Sequence, residues 1–166
     1  MENKLEFRWA RMDDAARCFE IEAAAYAEDE AATLAKIATR IEGYPEGFLI
    51  LELGGTIVGF INSGCAHEVE MSDDAFKELI GHDAEARDVV IMSVVLDPDF
   101  QGRGLATSLM TEFVTRMKAA GKEQIHLMCK ENYRPLYERF GYKFTKPSRS
   151  THGGAQWYEM VMNLTF

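Results

Sequence analysis

Val89-Val90-Ile91-Met92-Ser93-Val94-Val95-Leu96-Asp97-Pro98-Asp99-Phe100-Gln101-Gly102-Arg103-Gly104-Leu105-Ala106 is the stretch that decides the fold. Val89 to Leu96 is a nearly unbroken apolar, β-branched run, the pattern of a strand covered on both faces. Asp97-Pro98-Asp99 ends it, because proline fixes φ and has no N–H to give a sheet ladder. Leu105, Leu109, Phe113 and Met117 then recur at helical spacing. Gln101 to Ala106 is therefore a glycine-rich loop at the start of a helix, where free main-chain N–H groups meet the positive end of the helix dipole. Such a loop holds an anion, a pyrophosphate for example, without any basic side chain.

Spacing narrows the choice of anion. A phosphate loop of the nucleotide-hydrolase type ends in Gly-Lys-Ser/Thr, whereas Gly104 is followed by Leu105 and Ala106. A dinucleotide fingerprint needs a third small residue where Thr107 stands, and it follows the first strand of a βαβ unit, not a strand in mid-chain. Neither fits. A chain of 166 residues suits one domain with its own core and no metal or disulfide staples. With 18 basic against 27 acidic residues, the net charge of −9 disfavours nucleic-acid backbones and favours cationic small molecules as partners. Cys18, Cys65 and Cys129 are odd in number, lack Cys-x-x-Cys spacing and sit among apolar residues, so buried reduced thiols in a cytoplasmic setting are expected. Met1, Glu2, Asn3 and Lys4 do not open a signal peptide. No apolar run approaches the ~20 residues that span a bilayer, and no membrane partner is expected.

Leu5, Phe7 and Trp9 alternate as in a first strand, and Asp13 and Asp14 are placed to cap a helix running toward Tyr26. Leu34, Ile37, Ala38 and Ile41 mark a second helix that Gly43 can end. Phe48 to Leu53, Gly54-Gly55 and Thr56 to Ile61 read as a hairpin. Ser72-Asp73-Asp74 starts a short helix that Gly81 stops. After the decisive strand and its helix, which Gly121 ends, come a strand at Ile125 to Cys129 and a brief helix from Tyr133 to Phe140 before Gly141. Tyr142 to Thr145 and Gln156 to Leu164 close the chain as strands, joined by a loop holding Pro147, Gly153 and Gly154. No linker or repeat divides this order, so residues 1–166 are expected to form one α/β domain around a mixed central sheet.

The loop matches Gln101-x-x-Gly104-x-Ala106, the acyl-CoA signature of the GNAT superfamily of N-acetyltransferases. Four blocks resemble, more closely, its serotonin (aralkylamine) N-acetyltransferase branch: Phe19-Glu20-Ile21-Glu22 with Tyr26, Tyr44-Pro45-Glu46, the stretch quoted above, and Leu127-Met128-Cys129 with Pro135-Leu136-Tyr137-Glu138-Arg139-Phe140-Gly141. The resemblance implies the GNAT fold, in which the cofactor strand and the next strand splay at a bulge and open a slot for the pantetheine arm of acetyl-CoA. It assigns cofactor binding to Val94, Val95, Leu96, Gln101, Gly102, Arg103, Gly104, Leu105, Ala106 and Thr107. The N–H near Val94 would polarise the thioester carbonyl, and Leu96 would pair with the pantetheine amide as an added strand does. Asn132 would bond the arm or a phosphate. Tyr137 falls on the tyrosine that lies beside the CoA sulfur.

The implied reaction is direct acetyl transfer to a small primary amine, an arylalkylamine or a polyamine. An alkylamine resembles lysine, with a pKa near ~10.4, so at pH 7 the reactive neutral form lies roughly 4.6 kcal/mol uphill. A base, a water chain or desolvation must offset this. In vertebrate members two histidines on the cofactor strand relay the proton, and their positions here carry Val90 and Met92. Glu22, Glu28, Glu30, Glu46 and His67 remain as bases, with Glu22 preferred for its place before the acceptor loop. Tyr137 is the acid for the leaving thiolate. Cys129 as a covalent carrier is disfavoured by its apolar strand. His82, His126 and His152 are scattered and no metal is expected. The acceptor pocket is expected from Tyr26, Tyr44 and Pro45 with Trp157, while Phe48 and Met128 suit the core better. A protein or peptide acetyltransferase and a non-catalytic acyl-CoA sensor are the rival readings. Regulatory tails are not expected, nor is any state beyond a monomer or homodimer.

Overall fold

Strand-forming residues alternate between two buried faces, and that alternation sets the sheet. The computed structural model describes residues 4–28, 30–72 and 74–165, so Asp73 lies outside the described residues. The strands are β1 (Leu5–Trp9), β2 (Phe48–Leu53), β3 (Thr56–Ala66), β4 (Asp88–Leu96), β5 (Gln124–Cys129), β6 (Lys143–Pro147) and β7 (Tyr158–Asn163). They lie in the order β1-β2-β3-β4-β5-β7-β6. Only β4 and β5 run parallel, which makes the sheet mixed.

Helices cover both faces. On β2, Phe48 and Ile50 point to one side and Leu49 and Leu51 to the other, and all four are buried. The first pair meets Cys18 and Ile21 of α1 (Ala15–Ala25) and Ile37 and Ile41 of α2 (Leu34–Gly43). The second pair meets Leu105, Leu109, Phe113 and Met117 of α3 (Leu105–Ala119), the stripe legible in the sequence. The short α4 (Arg134–Phe140) adds Tyr137 and Phe140 to the same side.

Several local expectations shift. Asp14 does not cap α1 through its side chain; its carboxylate accepts from the Arg11 N–H and from both terminal nitrogens of Arg8 at 2.8 Å. Leu34 is exposed, because Thr33 caps α2 one residue earlier and the buried stripe runs through Ile37, Arg40 and Ile41. β3 continues to Ala66, Pro147 ends the edge strand β6, and β7 begins only at Tyr158, leaving Trp157 in the loop before it. Proline is tolerated at that edge because its missing N–H takes nothing from a central ladder.

The feature that positions the site is a one-residue irregularity in β4. Asn62 pairs with Ser93 and Ser63 with Ile91, so Met92 is an extra residue opposite the β3 ladder. A bulge of this kind bends its strand and sharpens its twist. On the other side, β4 and β5 pair only through Asp88–Gln124, Val89–Ile125 and Val90–His126, although the strands run on to Leu96 and Cys129. Beyond Val90 they part, and a gap opens inside the sheet.

Gly59 stands opposite Leu96, where an added Cβ would lie 2.8 Å from the Val95 carbonyl oxygen and 2.6 Å from Leu96 Cδ2. Gly59→Ala should force β3 from β4 and lower stability by about 1–3 kcal/mol, read as a lower urea midpoint at unchanged slope.

Candidate active site

Main-chain groups line the gap. The Asp97 N–H bonds the Val58 carbonyl at 2.8 Å, which fixes the phase of the β3–β4 ladder. By strand alternation the N–H and C=O of Val95 face β3, and those of Val94 and Leu96 face the gap. Two side chains reach the carbonyls there: the Tyr26 hydroxyl donates to Val94 O at 2.8 Å and Gln101 Nε2 to Leu96 O at 3.3 Å. The N–H groups of Val94 and Leu96 have no protein acceptor among the described residues. Val95 contributes packing, its side chain lying with Ile21 and Phe60 in the core.

The gap leads to the glycine loop. Gly102 and Gly104 hold φ of 79° and 77°, and nothing lies within 4 Å of a Cβ built on either, so dihedral rather than crowding calls for glycine. Residues 101–104 are exposed, and the N–H groups of residues 102–107 have no protein acceptor among the described residues. Arg103 lays its guanidinium 5.0 Å from the centre of the Phe100 ring, at the mouth of this nest. Asn132 is exposed in the turn Glu131–Tyr133 that precedes α4. Free amides in the gap and at the helix start fit a long ligand with a polar arm and an anionic end.

A cavity of about 110 Å³ opens on the sheet beside the gap. Val90, Met92 and Ser93 of β4, Met128 of β5 and Tyr26 form its floor and one wall. Met71, Phe76 and Lys77, from the connection between β3 and β4, form another. The third side is closed by Glu30 and by His152 and Trp157 of the β6–β7 loop. That closure is a clasp: His152 Nε2 donates to the Glu30 carbonyl at 2.9 Å, and Trp157 Nε1 to the His152 carbonyl at 2.8 Å. The Glu30 carboxylate pairs with Lys130, whose ammonium lies 5.7 Å from the Trp157 ring. Gly153 permits the approach, since a Cβ there would lie 2.5 Å from Glu30 Cγ.

Tyrosines approach the gap from both faces of the sheet, Tyr26 from the end of α1 and Tyr137 from α4. Gly141, at φ 104°, turns the chain out of α4 so that Tyr142 packs edge-on against Tyr137, ring centres 5.9 Å apart. Burial, with smaller effects from Cys129, Tyr142 and Tyr133, pushes the Tyr137 phenol well above its ordinary pKa. Burial and then Tyr137 do the same to Tyr26. Both phenols stay protonated through the neutral range and are donors. Burial also pushes the Cys129 thiol up to about 11, so it holds its proton and is a poor nucleophile.

The sequence matches the family described as the Acetyltransferase (GNAT) family over residues 9–142. The chain belongs to the GNAT acetyltransferases. Acetyltransferase ECA0875 of Pectobacterium atrosepticum is 27% identical over 110 residues, 64% of this chain and 64% of that protein, so the match spans a little under two thirds of the curated relative. The loading GNATL domain of CurA from Lyngbya majuscula superposes with a TM-score of 0.86 at 18% identity, covering 98% of both chains. YncA of Salmonella typhimurium, a structure with its cofactor acetyl-CoA, gives 0.71 at 21% identity over 98% of this chain and 95% of that one. These likenesses agree with the GNAT fold of a sheet parted at the cofactor strand.

Other expected site residues of this GNAT domain lie elsewhere. Tyr44 is buried, accepts the Cys65 S–H at 3.3 Å and tilts against His82, because Pro45–Gly47 turns the chain at once into β2. Pro45 goes with it. His67 is exposed and bonds Asp83 at 2.7 Å, and Glu28 and Glu46 are exposed, none of them at the cavity. Glu22 is buried and does not line the cavity; its carboxylate accepts the Ala32 N–H. Nearby, Arg40 donates to Lys77 O at 2.9 Å and to Asn62 Oδ1 at 3.4 Å. Burial lowers the Arg40 pKa and the Glu22 charge opposes that loss. Glu22 thus ties down the segment after α1, and Arg40 the β3–β4 connection. Lys77, Phe76, Met71 and His152 carried no site signal in the sequence: Phe76 and Lys77 reach the cavity from the short 3-10 helix Asp74–Glu78, which lies within the expected helix, and His152 from the single turn His152–Gly154, both too short to show periodicity.

Glu22→Ala leaves the buried Ala32 N–H without its acceptor and Arg40 without its compensating charge. Stability should fall by about 3 kcal/mol, seen as a lowered Tm.

Proposed function

We propose that this protein transfers acetyl from acetyl-CoA directly to a small primary amine, an arylalkylamine or a polyamine. The observation that carries the reading is the clasped cavity opening on the gap at Ser93 and Tyr26. A cavity of roughly 150 Å³ takes a benzene ring, so about 110 Å³ opening on the gap suits an aminoalkyl group with part of a ring. The aromatic and methionine walls favour an apolar acceptor body. Glu30 and Glu70, at the cavity edge, are each already paired with a cation, Lys130 and Arg149.

Acetyl-CoA supplies the acetyl group as a thioester already activated for attack. The free amides of residues 102–107 would hold its diphosphate, and the Leu96 N–H its pantetheine arm. Val94 N–H would polarise the thioester oxygen as charge develops there, in a site sheltered from water. Tyr137, kept protonated by burial, would donate its proton to the leaving sulfur. Cys129 has no part in the transfer, its thiol being pushed up to about 11.

Thiol release with tryptamine, phenethylamine, spermidine and a lysine peptide, compared by kcat/KM, tests the acceptor class. The arylalkylamines or spermidine should lead by at least about tenfold, the worth of ~1.4 kcal/mol of pocket contact. Preference for the peptide would make this a protein acetyltransferase, and CoA binding without release from any amine would make it a sensor. Tyr137→Phe should cut kcat by about a hundredfold while the Kd for CoA stays within about twofold.

A further inference from the structure

We infer that His152 is the general base that takes the proton from the attacking amine. The inference rests on the amine acetylation proposed above and assigns the one role left empty there. Val90 and Met92, where vertebrate relatives of the resembled branch carry histidines, line the cavity floor without any titratable group. His152 enters the same cavity from the opposite side, on the β6–β7 loop.

Its tautomer follows from its partner. The Glu30 main-chain carbonyl can only accept, so Nε2, at 2.9 Å, must carry the hydrogen. In the neutral ring the lone pair is then on Nδ1, which has no protein partner among the described residues. The ring is held as well as oriented: the loop is anchored by Trp157 Nε1 on the His152 carbonyl, and the two rings lie 6.0 Å apart. A neutral imidazole with one nitrogen fixed as donor and the other open is the arrangement a base requires.

The charged and titratable groups around it come from four elements. Glu30 and Tyr26 follow or end α1, Glu70 and Lys77 belong to the β3–β4 connection, Lys130 follows β5, and Arg149 shares the histidine's own loop. The carboxylates are already occupied, Glu30 by Lys130 and Glu70 by Arg149 at 2.9 Å. Tyr26 spends its proton on Val94 O. Lys77 is a cation paired with Asp74 at 3.2 Å, so among these groups the imidazole is the base without a competing partner.

The step balances. The ammonium first passes one proton through Nδ1 to solvent; the neutral amine then forms the C–N bond as the C–S bond breaks and gives a second proton to Nδ1, while the sulfur takes one proton from the Tyr137 hydroxyl. His152 then loses that second proton to solvent and Tyr137 regains one, so the net products from ammonium and acetyl-CoA are the amide, free CoA thiol and one released proton.

The test is the pH dependence of kcat for the best amine of the panel. The native enzyme should show a limb of kcat rising with pH as the general base loses its proton. His152→Gln keeps an N–H for the Glu30 carbonyl and removes the base. It should lose that limb, fall about a hundredfold in kcat at pH 7 and keep the Kd for CoA within about twofold. Adding imidazole to His152→Ala should restore part of the rate in proportion to its neutral form. Trp157→Phe, which loosens the loop but keeps the histidine, should raise KM and retain the limb. A His152→Gln enzyme within threefold of native with the limb intact overturns the assignment, as does loss of activity in His152→Ala that imidazole cannot restore. If the native protein releases thiol with none of the amines, the amine reading itself fails and His152 with it.

Discussion

Two parallel strands that stop pairing halfway along their length leave main-chain N–H groups in the middle of a sheet, and the rest of this molecule is organised around that exposure. Buried amides without partners are rare because each costs about as much as a lost hydrogen bond. Here the extra residue at Met92 bends β4 away from β5, and Val94 and Leu96 are left with free donors facing the gap. The carbonyls of the same residues are met by Tyr26 and Gln101, so the gap is asymmetric: its acceptors are satisfied and its donors are open. Under the proposed function, that open donor row would pair with an extended acyl-pantetheine, and the free amides of the glycine loop beyond it would meet its diphosphate.

Parting the strands also lets the two faces of the sheet communicate. Tyr26 belongs to the helices on one face and Tyr137 to those on the other, yet Tyr137 is the largest neighbouring influence on the Tyr26 phenol after burial. A fully paired sheet would keep them apart. The acceptor side is then assembled from segments far apart in sequence, joined by main-chain hydrogen bonds. The His152–Glu30 bond spans 122 residues, and it both closes the cavity and fixes the histidine's tautomer. Glu22 and Arg40 hold two of the contributing segments from beneath, with their charges buried where hydrogen bonds must replace water.

Legibility in the sequence followed the range of the interactions. The cofactor strand, the glycine loop and α3 each declare themselves through short-range pattern: an apolar run, a proline, two glycines, a 3.6-residue stripe. Val90 and Met92 could likewise be read as positions without histidines. The acceptor side could not be read this way. Tyr44 beside Pro45 looked available to a ligand, but the turn that follows drives its ring under β3, where Cys65 and His82 cover it. Glu22 adjoined an apolar residue in the right block, and helical phase then turned it inward to Ala32.

The residues alone determined that a buried apolar strand runs into a glycine-rich helix start with free main-chain N–H groups, and that one α/β domain forms around a mixed sheet. These follow from local dihedral preference and periodicity. The tertiary structure decided which titratable groups share a cavity, because a clasp between the loops at Glu30 and His152 depends on where β7 returns beside β5. It decided the hydrogen bonding of the site too, since the burial that raises the Tyr137 phenol and the Glu30 carbonyl that His152 Nε2 meets exist only once distant segments are brought into contact.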